Sequence, residues 1–139
     1  MIILASDHAG FLLKEEIKKF FKKENITTID VGCYSLDPVD YPDFAKSASQ
    51  RVLENDNNVG IYICGTGIGM AIAANRNPKI RAAYCPNTTY ARLARSHNNA
   101  NVLVLGGRYT RRYKAIKIIK EFLTTQFDGG RHSKRLRKL

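Results

Sequence analysis

The sequence predicts an α/β fold, a three-layer α/β/α sandwich around a five-stranded parallel sheet. Short apolar runs recur five times between stretches of helical period, the alternation from which parallel sheets are built. Those runs are continuously apolar, as in I-I-L-A at 2–5 and V-L-V-L at 102–105, so both faces of the sheet are covered. Length is the third observation. A chain of 139 residues, 44% hydrophobic and 25% charged, suffices for one core and is too short for two. A single domain over 1–139 with a basic tail at 129–139 is the expectation.

The first strand is 2–5, and Met1 leads straight into it, which predicts no leader segment. S-D-H-A-G follows, where Ser6 or Asp7 can cap the next helix. Along that helix Leu13, Ile17, Phe20 and Phe21 recur on one side, and Lys14, Lys18, Lys19, Lys22 and Lys23 read as the solvated face. The second strand is 27–31, ended by Gly32. A loop punctuated by Pro38 leads to a helix with Pro42 in its first turn and Ala45, Ala48, Val52 and Leu53 as its buried stripe. A strand at 59–64, a glycine turn and a small-residue helix at 70–75 come next. Asn77-Pro78 breaks the chain before a fourth strand at 80–85. A helix then runs through Arg95, and H-N-N-A-N at 97–101 is expected as a polar loop before the fifth strand at 102–105. Tyr113, Ile116, Ile119, Phe122 and Leu123 mark a long last helix. This order is that of a Rossmann-like sheet.

No apolar run approaches the roughly 20 residues a membrane span needs, which argues against a membrane partner. Three cysteines, Cys33, Cys64 and Cys85, have no metal-like spacing and fit a reducing, cytoplasmic setting. The net charge of +11 raises the question of nucleic acid. Much of it, however, is concentrated in Arg131, Lys134, Arg135, Arg137 and Lys138, which read as solubility and a local phosphate site.

The chemistry centres on V-G-I-Y-I-C-G-T-G-I-G-M-A-I-A-A-N at 59–75. Its glycines turn the chain tightly and expose amides at a helix start, which suits an anion. Cys64, the last strand residue, sits at the rim of that positive pocket, where a thiolate is stabilised. A dinucleotide loop G-x-G-x-x-G would need glycine where Met70 stands, and no acidic residue ends the next strand. A Walker loop is excluded because no Gly-Lys-Ser/Thr follows. Taken alone, the turn reads equally as structural or as a phosphate or oxyanion loop. The neighbours tip the balance: Asp7 and His8 follow strand one, Cys64 strand three and Arg108 strand five, so all are expected on one rim of the sheet.

These residues carry a family resemblance. S-D-H-A-G at 6–10, D-Y-P-D-F-A at 40–45, I-C-G-T-G-I-G at 63–69, A-A-N at 73–75, H-N-N-A-N-V-L at 97–103 and F-D-G-G-R-H-S-K-R at 127–135 resemble the B-type ribose-5-phosphate isomerases, a group that also holds galactose-6-phosphate isomerase subunits. The resemblance implies interconversion of ribose 5-phosphate and ribulose 5-phosphate through an enediolate, with no metal and no cofactor. It makes Cys64 the base, Thr66 a proton relay, and His97 the acid that opens the sugar ring, with Asp7 assisting. It assigns the enediolate oxygen to the amides of Gly65, Thr66, Gly67, Ile68 and Gly69 with Asn98. Phosphate goes to His8, Arg108, Arg131 and Arg135, the last two being four apart and thus on one face of a short helix. Tyr41 matches a pocket residue of the family and serves equally as a packing residue. Some members carry a glutamate base where this chain has Met70, which leaves the burden on Cys64. The resemblance further implies a homodimer with sites shared between chains, or a tetramer, because His97 precedes strand five and lies at the opposite end of its own sheet from Cys64.

An isomerase of a phosphorylated hexose, of the galactose 6-phosphate or allose 6-phosphate type, is the alternative; H-N-N-A-N and the Arg131/Arg135 pair favour the pentose. A basic nucleic-acid-binding module is the rival of another class, without a recognised binding motif or a stacking-aromatic pattern in its favour.

Overall fold

A computed structural model describes residues 1–139. Its five strands are β1 (Ile2–Ser6), β2 (Thr28–Asp30), β3 (Val59–Cys64), β4 (Ala82–Tyr84) and β5 (Val102–Gly106). They form one parallel sheet in the order β2-β1-β3-β5-β4. Alternate residues of each strand point to opposite faces and pack into one apolar layer on each side of the sheet. Ile2, Leu4, Ile61, Ile63, Leu103 and Leu105 meet α1 (Phe11–Lys23), α4 (Thr88–Asn98) and α5 (Arg112–Thr124). Ile3, Ala5, Tyr62, Cys64, Val102 and Val104 meet α2 (Tyr41–Val52) and α3 (Ile68–Ala74). The predicted three-layer sandwich is thus the observed one. No helix is long and apolar enough to cross a membrane.

Several local expectations are corrected. Lys14 is not solvated: it is fully buried, paired with Asp30 and bonded to the Cys33 carbonyl at 2.6 Å. Burial alone would raise the Asp30 carboxyl, but bonds from Lys14, Lys18 and the Gly32 amide outweigh it and hold the carboxyl below its ordinary value. Leu53 and Tyr113, expected in buried stripes, are exposed, whereas Ser49, on the same helix as Leu53's stripe, is buried and shares a hydrogen bond with the Tyr62 hydroxyl. α4 runs through His97 and Asn98, where a loop was expected, because Asn99 adopts a left-handed conformation that closes the helix one residue later. The basic tail folds back as α6 (Arg131–Leu136) against α4.

Candidate active site

From the centre of the sheet the chain leaves β1 towards β2 and leaves β3 towards β4, in opposite directions. The crevice at the carboxyl ends of β1 and β3 is therefore the switch point where such sheets bind ligands. The loops there are locked together: Asp7 N–H donates to the Ile63 carbonyl, Gly107 N–H to the Cys64 carbonyl and Arg108 N–H to the Gly65 carbonyl. A side chain on Gly10 would strike the Ile63 backbone, so α1 can come this close to β3 only with glycine.

Cys64 ends β3, is 4% exposed, and its sulfur accepts a hydrogen bond from the Gly67 amide at 3.2 Å. Gly67 has φ of 85°, a left-handed turn that aims this amide back at the sulfur. Thr66 is exposed, and its hydroxyl accepts from the Ile68 amide at 3.2 Å. The Tyr41 ring lies 2.6 Å from where a Gly69 side chain would begin, which sets it over the start of α3. Met70 points into the core instead.

Asp7 is buried, and its carboxylate accepts from the Gly10 amide at 2.9 Å, capping the turn into α1. His8 Nδ1 accepts from the Val39 amide at 3.2 Å, so its Nε2 is the nitrogen left to meet a ligand. The Arg108 guanidinium lies 3.5 Å from the same reference point on Gly65. Asp7, His8, Cys64, the 65–69 turn and Arg108 therefore share one rim.

The other four candidates do not join them within one chain. His97 and Asn98 end α4 just before Val102, whereas Cys64 pairs with Gly106. Four residues of strand separate those levels, roughly 13 Å at about 3.3 Å per residue. The expectation that Asn98 acts with the 65–69 amides therefore fails inside a single chain. Arg131 and Arg135 lie on α6, on the His97 side. The candidates thus fall into two groups, Cys64 with the 65–69 turn at one end of the sheet and His97 with Arg131 and Arg135 at the other.

The second group contains a residue that sequence reasoning missed. His132 is buried and stacks on His97, with ring centroids 4.2 Å apart and planes 10° from parallel. Burial first, then His97, Arg131 and Arg135, disfavour its charged form and hold it below the ordinary imidazole value, against the pull of Asp128. Its position between two phosphate-type arginines was the available signal.

A family model described as Ribose/Galactose Isomerase matches residues 2–139. Ribose-5-phosphate isomerase B of Escherichia coli strain K12 is 39% identical over 135 residues, 97% of this chain and 91% of that protein. A solved ribose 5-phosphate isomerase from Thermotoga maritima is 54% identical, with a TM-score of 0.96 over 99% of this chain and 94% of that one. Ribose-5-phosphate isomerase B from Mycoplasma genitalium, solved with bound ribulose-5-phosphate, is 42% identical, with a TM-score of 0.93 over 99% and 91% of the two chains. Agreement in sequence and in fold thus runs end to end, and the chain belongs to the ribose/galactose isomerase family.

Proposed function

We propose that this protein is a cofactor-independent isomerase of the pentose phosphate pathway, interconverting ribose 5-phosphate and ribulose 5-phosphate in the cytoplasm. We further propose that it acts as a homodimer whose sites each combine the Cys64 half-site of one chain with the His97 half-site of the other. The observation that carries the reading is the Gly67 amide aimed at the Cys64 sulfur, on the rim that also presents His8 and Arg108. Three free cysteines support a reducing compartment.

The substrate is mostly cyclic. The partner's His97 gives a proton to the ring oxygen while the C1 hydroxyl loses one, which frees the aldehyde. Asp7, fixed by its bond to the Gly10 amide, assists this step from the first chain. Cys64 as thiolate then takes the proton from C2 and returns it to C1. Between these moves the sugar is an enediolate, whose negative oxygen is met by amides of the 65–69 turn with the partner's Asn98, a stabilisation worth several kcal/mol. Thr66, exposed at the turn, relays the proton from the C2 oxygen to the C1 oxygen. His8 and Arg108 hold the phosphate from one side, and the partner's Arg131 and Arg135 from the other.

The test is conversion of ribose 5-phosphate, with galactose 6-phosphate and allose 6-phosphate assayed in parallel, in buffer treated with a chelator. Turnover of the pentose under these conditions is expected. Inactivity towards it would overturn the reading, and a hexose preference would move the assignment to the alternative.

A further inference from the structure

His97 stands near the end of α4 with no hydrogen bond on its ring, since His8 is the only histidine whose imidazole takes part in one. A group that delivers a proton has to be held to about 0.5 Å, by packing or by bonds from a second layer of residues. We propose that His132 is a positioning residue for ring opening, its buried imidazole being the platform against which the His97 ring is set. This inference deepens the isomerase reading and rests on the role proposed above for His97.

Stacking is the contact that suits the task. The ring centroids are 4.2 Å apart and the planes 10° from parallel, so His132 covers one face of His97. An imidazole gains and loses its proton in the ring plane, at Nδ1 or Nε2, and a neighbour lying on the face leaves both atoms free. His97 is half-buried and His132 buried, so the platform belongs to the packed side and the His97 ring to the open one. The platform is held in turn. The Asp128 amide donates to the Ser96 carbonyl at 2.9 Å and ties the connection to α4 one residue before His97. The His132 amide then closes the turn into α6 on the Gly129 carbonyl at 3.0 Å.

Charge favours the same arrangement. When His97 carries the proton it is to donate, a second imidazolium against its face would repel it, whereas a neutral ring does not. Burial first, then His97, Arg131 and Arg135, disfavour the charged form of His132, and Asp128 alone opposes them. His132 thus stays neutral while His97 acts. A second role has to be told apart from this one, because α6 also carries Arg131 and Arg135. As a mere anchor for α6, His132 would act on the phosphate; as a platform it acts on the acid.

Two variants of the full chain separate these roles. His132→Phe keeps a planar ring, and His132→Leu keeps apolar bulk without a flat face, so both fill the space between α6 and α4. With ribose 5-phosphate, His132→Phe should stay near wild type. His132→Leu should lose kcat about 10- to 100-fold, with KM and competitive inhibition by inorganic phosphate unchanged. Wild-type kcat in His132→Leu, or an equal loss in both variants, would overturn the platform. Raised KM and weaker phosphate inhibition at unchanged kcat would also overturn it, in favour of the anchor. Proton NMR reads the stack without turnover. Among the three histidines, the Cε1 proton of His97 is identified by its loss in His97→Asn. The ring current of its neighbour should hold this signal upfield in the wild type and in His132→Phe, and His132→Leu should release it downfield. A signal unmoved in His132→Leu would overturn the stack. An intact stack in a wild-type protein inactive towards ribose 5-phosphate would instead overturn the isomerase reading, and this role with it.

Discussion

Cys64 owes its setting to the point at which its strand stops. One residue earlier it would point into the opposite core, since β3 alternates faces, and its sulfur would miss the 65–69 turn. Gly67 matters equally: a side chain there would start 2.7 Å from the Tyr84 ring, and its left-handed φ disfavours any other residue. Cys85 offers no substitute, because burial pushes its thiol up to about 12. Cys64→Ser is therefore expected to lower kcat about 10^2- to 10^4-fold, the usual worth of a positioned general base, with little change in thermal stability. Near-normal turnover in that variant would remove Cys64 from the mechanism.

α1 shows how an element can mislead when its faces are read by polarity alone. Lys14 falls among lysines that continue to solvent, yet its ammonium lies 5.0 Å from the centre of the Tyr34 ring and 5.8 Å from that of Phe11, and it reaches Asp30 and the Cys33 carbonyl. This bond anchors the start of the segment whose Val39 amide holds His8. Lys14→Met removes the fully buried partner of Asp30, which keeps Lys18 and the Gly32 amide, and urea unfolding should show a loss of about 1.5–3 kcal/mol. Lys18, more exposed on the same carboxylate, should cost at most about 1 kcal/mol as Lys18→Ala. A loss at Lys14 no larger than at Lys18 would refute the buried-pair account.

At the scale of the molecule, the residues proposed for one site sit at opposite ends of one sheet. A twofold dimer in which these ends meet would bring two complete sites together. The exposed apolar Ile68 and Ile72 on α3, beside the Cys64 turn, suit such an interface. Two inactive variants test this: Cys64→Ser, and Arg131→Ala combined with Arg135→Ala. Unfolded and refolded together at random, half the dimers are mixed, and each mixed dimer has one site free of both defects. Activity should return to roughly a quarter of wild type. A refolded, dimeric and inactive mixture would defeat the shared site while leaving the isomerase reading intact.

The sheet, its covered faces and the Cys64 turn were legible in the sequence because each rests on local rules. Continuous apolar runs mark buried parallel strands, and glycines mark a turn that needs a left-handed residue. The gathering of Asp7, His8, Cys64 and Arg108 on one rim was legible as well, since parallel strands place every strand-to-helix loop at the same end. The fate of Lys14 was not, because it depends on Asp30, which lies sixteen positions away and comes within reach only once β2 pairs with β1. His132 stayed hidden for the same reason: its meaning comes from stacking on His97, thirty-five positions earlier, after the tail folds back on α4. Periodicity and motifs report what a residue's neighbours in the chain require of it, whereas burial of a charge and the meeting of two rings are set by neighbours in space.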